Sequence, residues 1–105
     1  MQPPGRGGPV WGTASEELNA TLLAWPPGGG PGEHVNAERD VALVVVEGSL
    51  ELEVDGAVTT LAAGEATIVP RGTRRLLRAG PDGVRYATVH RKRGGLAIGT
   101  LSRRG

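Results

Sequence analysis

The sequence predicts an antiparallel all-β sandwich or barrel, and three observations carry the prediction. Short apolar or alternating segments are separated by turn residues at intervals of about 8–12 positions. No segment sustains the helical period of about 3.6 residues for three turns. Asp55-Gly56, set between two alternating segments, is the strongest short hairpin signal in the chain. The 105 residues fit one domain, which hides roughly 60–70% of its unfolded surface on folding. Gly and Pro, with 18 and 8 residues, approach a level associated with disorder, but the strand patterning overrules it. The expected organisation is a loose N-terminal segment (1–15), a barrel (16–93) and a basic C-terminal tail (94–105) able to pack on the barrel.

Each element has its own signal. Residues 1–9 are rich in Pro and Gly without an apolar period, so they are expected to be loose. Residues 16–25 alternate, with Leu18, Ala20, Leu22 and Ala24 on one side and Asn19, Thr21, Leu23 and Trp25 on the other. Apolar residues on both sides predict a strand with cover on each. Residues 26–32 form a loop, flexible over the glycine run 28–30, because prolines cannot donate to a ladder and glycines permit positive φ. Residues 41–46 are apolar throughout, which predicts a strand buried on both faces, followed by a turn at Glu47-Gly48. Leu50, Leu52 and Val54 alternate with Glu51, Glu53 and Asp55 in the cleanest half-buried strand. The Asp55-Gly56 hairpin returns the chain through residues 57–61, and Ala63-Gly64 turns it into residues 66–69. Pro70-Arg71-Gly72 punctuates before a strand over 73–79. Gly80-Pro81-Asp82-Gly83 predicts a further turn before a last strand over 84–91. One barrel sheet covers only the inner side of residues 41–46, so their outer side calls for the N-terminal segment or a second subunit.

Composition excludes several classes. Without cysteine there are no disulfides or thiolate–metal staples. The longest apolar run is far short of a membrane span, and the first residues lack a charged-then-apolar signal region, so a soluble cytoplasmic protein is expected. Residues 1–70 carry ten acids and two arginines, a sum of −8, whereas residues 71–105 carry nine arginines, one lysine and Asp82, a sum of +9. The halves are expected to neutralise each other on folding or across a dimer. The basic runs 91–93 and 103–104 lack interleaved aromatic platforms, so no nucleic-acid partner is expected. There is no phosphate-binding loop with Lys-Ser/Thr, no Cys/His finger and no nucleophile elbow.

The stretch Pro31-Gly32-Glu33-His34-Val35-Asn36, continuing from Asp40-Val41 to Glu47-Gly48, resembles the first motif of the cupin family, G-x5-H-x-H-x3,4-E-x6-G. Gly64 to Val69 followed by Pro70-Arg71-Gly72-Thr73-Arg74-Arg75 resembles the second, G-x5-P-x-G-x2-H-x3-N. Gly64, Pro70 and Gly72 keep the motif's spacing, and the resemblance spans roughly residues 18–91. It implies an antiparallel double-sheet jelly roll, the cupin β-barrel, and commonly a homodimer. Metal-binding cupins take two histidines and a glutamate from the first motif and a histidine from the second. Here His34 keeps the first position, while Asn36, Val41 and Arg75 occupy the others. Valine has no donor, asparagine is a weak ligand for such metals, and a guanidinium repels a cation.

No resident metal or other cofactor is therefore expected. By alternation Thr73, Arg75 and Leu77 share a face, which looks into the barrel if the cupin register holds. A guanidinium there needs a carboxylate of the same chain, such as Glu38 or Asp40, backbone carbonyls, or a bound anion. The expected function is binding of a small anionic molecule, with Arg75 anchoring charge, His34 and Asn36 orienting the ligand, and the Tyr86 hydroxyl within reach. An alternative is a metal-dependent cupin enzyme, an isomerase, epimerase or dioxygenase, with ligands displaced to His34, Glu38 and His90. That set requires His90 to face inward, whereas its place beside the basic run 91–93 favours the rim. A third alternative is an interaction module acting through a protein partner. Among the aromatics Trp11, Trp25 and Tyr86, core or interface packing is the default for both tryptophans. The sequence identifies no substrate and no reaction.

Overall fold

The computed structural model describes residues 7–35 and 39–92, with the side chains of His34 and Val35 outside that description. Seven strands make up the fold: β1 (Gly8–Ala14), β2 (Leu18–Trp25), β3 (His34–Val35), β4 (Val41–Val54), β5 (Ala57–Ala62), β6 (Ala66–Val69) and β7 (Arg74–Arg91). Every pairing is antiparallel. Among the described residues no helix is long and apolar enough to cross a membrane.

Two long strands hold the architecture together. β4 and β7 pair along nearly their whole lengths, from Ala42 opposite Val89 to Val54 opposite Arg75. Both belong to two leaves of a jelly roll. In one leaf the order is β1-β2-β7-β4-β6, using the outer arms of β4 and β7; in the other β3, β7, β4 and β5 lie side by side. Their inward side chains merge into one core, in which Val41, Leu43, Val45 and Tyr86 meet Leu50, Leu52, Leu61 and Leu77. The Asp55-Gly56 hairpin forms as its sequence signal requires, with positive φ at both residues (49° and 88°). Asp55 Oδ1 then accepts the Arg74 N–H at 2.9 Å, tying the hairpin to the start of β7.

Three expectations change. Glu47-Gly48 and Gly80-Pro81-Asp82-Gly83 are not turns that end strands. They are bends within β4 and β7, marked in β4 by register shifts between Val45 and Glu47 and between Gly48 and Leu50. Gly48, at φ 75°, lies against the bend in β7 so closely that a Cβ there would stand 2.1 Å from the Gly83 carbonyl oxygen. Both strands therefore cross between leaves together, still paired. The second change is at the N-terminus, where part of the segment expected to be loose forms β1 on the edge of β2. Its Pro9 is tolerated because an edge strand has a side that needs no donor. The third is the Pro/Gly loop, which is pinned rather than flexible. Gly28 N–H donates to the Ala79 carbonyl (3.1 Å), and Ala79 N–H donates to that of Gly29 (2.7 Å). Residues 1–6 and the tail 94–105 lie outside the described residues, as does Arg93 at the expected barrel boundary.

The two outer faces differ in chemistry. On one leaf Glu51 stands opposite Arg78 and pairs with it at 3.3 Å. On the other, Trp11, Leu22, Ala87, Val44 and Ala66 form one row across the strands, and Thr13, Ala20, Val89, Ala42 and Ile68 form the next. Val46, Ile68 and Trp11 of this face are 52%, 58% and 60% exposed. The described ion pairs, Glu33–Arg74, Glu51–Arg78 and Glu47–Arg85, each join an acid before residue 71 to an arginine after it. All are exposed, so each contributes at most about 1 kcal/mol.

The close approach of the two bends generates a test. Gly56→Ala, at φ 88° with open space around it, is expected to lose about 1–2 kcal/mol from backbone strain alone. Gly48→Ala adds a clash with Gly83, so urea unfolding is expected to show a loss above about 3 kcal/mol. Equal losses at the two sites would mean that the bends do not touch.

Candidate functional site

Period-two alternation along the strands aims one set of side chains at the space between the leaves. Val41 and Leu43 come from β4, Val69 from β6, Leu23 from β2, and Arg75, Leu77, Tyr86, Thr88 and His90 from β7. With Pro31 and Arg39 from the flanking loops they enclose a cavity of about 200 Å³.

Strand register sorts this wall by distance from the bends. Leu50, Ala79 and Val84, nearest the bends, are buried as a floor. Leu77 (opposite Leu52) and Tyr86 (opposite Val45) come next. Arg75 (opposite Val54) and Thr88 (opposite Leu43) are further out, and His90 pairs with Asn19 close to the end of β7. Arg39 precedes Val41 by two positions and joins the same open end. The cavity thus has an apolar floor, and toward its open end Arg75, Thr88 and His90 stand among Leu43, Val41 and Val69. Among its described lining residues are two arginines and no carboxylate.

The electrostatics follow from that sorting. Burial holds the Arg75 guanidinium below its ordinary value. The neighbouring Tyr86 phenol acts in the opposite sense, and the like charge of Arg39 pushes it down again. Both guanidiniums also take part in interactions within the chain. Tyr86 is only 2% exposed. Burial raises its phenol above the ordinary 10.0, opposed by the Trp25 indole and the Arg75 cation. The indole N–H lies near the phenol without closing a hydrogen bond, which leaves Trp25 Nε1 a buried donor with no acceptor. His90 Nδ1 lies 2.9 Å from the Arg91 carbonyl oxygen. A carbonyl only accepts, so the neutral ring carries its proton on Nδ1 and leaves Nε2 as an acceptor.

The residues expected at the site have mixed fates. Arg75 and Tyr86 meet on the cavity wall. His90 joins them at the open end of the cavity, because pairing with β2 continues through Arg91 and keeps its alternation with Tyr86 and Thr88. The His34 backbone pairs with Arg75, while its side chain, Asn36 and Glu38 lie outside the description. The alternative metal set of His34, Glu38 and His90 is therefore placed only at His90. Asp40, a candidate partner for Arg75, accepts the Arg71 N–H at 2.9 Å and so fastens the turn before β7. Arg39 is a lining residue absent from the expected set. It lies in the loop before β4, where strand alternation fixes no direction, so parity offered no signal for it.

The positions at which metal-binding cupins place ligands do not fit a divalent metal here. Val41 is a buried hydrocarbon, and Arg75 puts a cation where an imidazole would stand. Among the described residues no three His, Cys, Asp or Glu side chains gather closely enough to hold an ion.

Comparison with known proteins agrees with this geometry. Residues 21–89 match the sequence model of the family described as "Cupin domain". KdgF from Halomonas sp. superposes with a TM-score of 0.73 at 22% identity, covering 88% of this chain and 84% of that one. An RmlC-like cupin from Shewanella frigidimarina gives 0.68 at 23% identity, with coverages of 78% and 72%. The Cnp3 cupin domain of Schizosaccharomyces pombe gives 0.70 at 17% identity, with 81% and 62%. At these identities the likeness concerns the fold. No curated protein matches the sequence.

The environment of Tyr86 can be measured directly, because it is the only tyrosine. Tyrosinate absorbance in the folded protein is expected to rise with a midpoint above that of the urea-unfolded chain. The stability gained by keeping this phenol neutral is fully present below the unfolded value near 10.0 and is lost as pH rises through the folded value. Arg75→Met removes a cation that favours the phenolate, so the midpoint should climb further. Equal folded and unfolded midpoints would mean that the phenol is solvated.

Proposed function

The chain belongs to the cupin family, and from that premise we propose that it binds a small anionic molecule inside the barrel without using a transition metal. The observation that carries this is the convergence of Arg39 and Arg75 on the mouth of a cavity whose described lining has no carboxylate. An anion seated there relieves the repulsion between two like charges. It also gains charge-assisted hydrogen bonds in surroundings less polar than water. Arg75 takes the charge, and Thr88 and Tyr86 offer hydroxyls. His34 and Asn36 are assigned orienting roles from their motif positions alone.

A thermal-shift screen of small carboxylates and phosphates, with Arg75→Ala as control, tests this. A ligand at about a hundred times its Kd adds about 2.7 kcal/mol of stability, and that shift should vanish in Arg75→Ala. A shift of equal size in the variant would remove Arg75 from the site.

We also propose that the chain forms a homodimer through the outer face of the β1-β2-β7-β4-β6 leaf. β1 lies in plane at the edge of β2 and so leaves Val44 and Val46 uncovered. Five strands at about 4.8 Å spacing give the patch a width of roughly 20–24 Å. The Glu47–Arg85 pair (3.2 Å) on the same leaf supplies both signs of charge, which a two-fold copy can match with its own. Val44→Glu is expected to convert a dimer into a monomer by light scattering. A wild-type chain that is monomeric at all concentrations would overturn the proposal, as would a variant that remains dimeric.

A further inference from the structure

The cavity's sorted wall specifies more about its ligand than charge. We propose, resting on the anion-binding reading above, that the preferred ligand is a monocarboxylate with a compact hydrocarbon body, and not a polyhydroxy acid or a phosphate. The geometry behind this is the separation of polar and apolar groups along one axis. Arg75 and Thr88 stand toward the open end with His90 and Arg39, while Leu77 and Leu23 lie one inward step nearer the buried floor.

A carboxylate at the mouth can take both lone-pair edges to guanidinium N–H groups. The rest of the molecule must then point inward, because the bends close the opposite end. There it meets Leu23 and Leu77 beside Tyr86, after passing Leu43 and Val69 nearer the open end. A hydroxyl pushed against such a wall loses its water and finds the Tyr86 hydroxyl as the one side-chain partner among the described inner residues. A polyhydroxy acid would leave several hydroxyls in that position. Phosphate would occupy the mouth and leave the apolar depth unfilled.

Size narrows the class. An apolar cavity of about 150 Å³ stays dry and accepts benzene, and this one measures about 200 Å³. The added space matches a ring bearing one carboxylate, or a short branched chain of equal bulk. Burial of a hydrocarbon body of that size corresponds to roughly a ten- to hundredfold gain in affinity.

Isothermal titration of the full chain with benzoate, gluconate, inorganic phosphate and benzamide separates the possibilities. The expected result is benzoate binding at least about tenfold tighter than gluconate or phosphate, with benzamide weaker still and Arg75→Gln weakening benzoate. Gluconate or phosphate binding as tightly as benzoate would overturn the ligand class and leave anion binding standing. Benzamide binding as tightly as benzoate would show that charge is not read, and would overturn both. Absence of heat from all four, confirmed by unchanged melting temperatures, would also overturn both. Leu23→Thr, at a half-buried position that should tolerate the change, is expected to weaken benzoate while leaving any phosphate binding unchanged. An equal loss for the two ligands would contradict the inward placement of the hydrocarbon.

Discussion

Most of the residues around the cavity are aimed by one ladder, the antiparallel pairing of β4 with β7. Because side chains alternate with period two, fixing Ala42 opposite Val89 and Val54 opposite Arg75 decides which residues look inward along both strands. A slip of one residue would send Arg75 and Tyr86 to solvent and bring Arg74 and Arg85 into the core. Neither could be accommodated there, since burying an unpaired charge costs more than a single buried leucine contributes. The ladder also passes through the two bends without breaking. That continuity makes one pair of strands serve as walls on both sides of the same space.

The space itself has a compositional cause. The chain has no phenylalanine, one tyrosine and two tryptophans, and Trp11 lies exposed on the outer face. The interior is built mainly from valine and leucine around Tyr86. Such side chains close the floor, where the leaves converge on the bends, but leave the wider end partly unfilled. At that end stand the two arginines, whose charge is permanent at any physiological pH. A cavity that is apolar at depth and cationic at its entrance follows from where the large side chains are missing and where the guanidiniums lie.

Much of this was legible in the sequence. Alternation from Leu50 to Val54, the Asp55-Gly56 hairpin and the spacing of Gly64, Pro70 and Gly72 led directly to a double-sheet jelly roll. Parity alone placed Arg75 and Leu77 on one face. The bends at Glu47-Gly48 and at residues 80–83 read as turns, because Gly and Pro carry the same local signal whether a strand ends or crosses to another leaf. Only the tertiary stacking of Gly48 on Gly83 distinguishes the two. His90 combines two signals: the charged run after it has the composition of a rim, and pairing with Asn19 keeps it on the inward side at the open end. β1 escaped notice because Pro9 and the glycines around it suit a loose end as well as an edge strand.

The central proposal is that Arg75, at the position where metal-binding cupins carry a ligand histidine, serves an anion in place of a metal. The most direct measurement is the metal content of tag-free protein by mass spectrometry, before and after exposure to iron, manganese, nickel and zinc salts followed by dialysis. The account predicts metal far below one ion per chain in every sample. Stoichiometric metal that survives dialysis would contradict it, and would turn attention to His90 with His34 and Glu38 as the ligands.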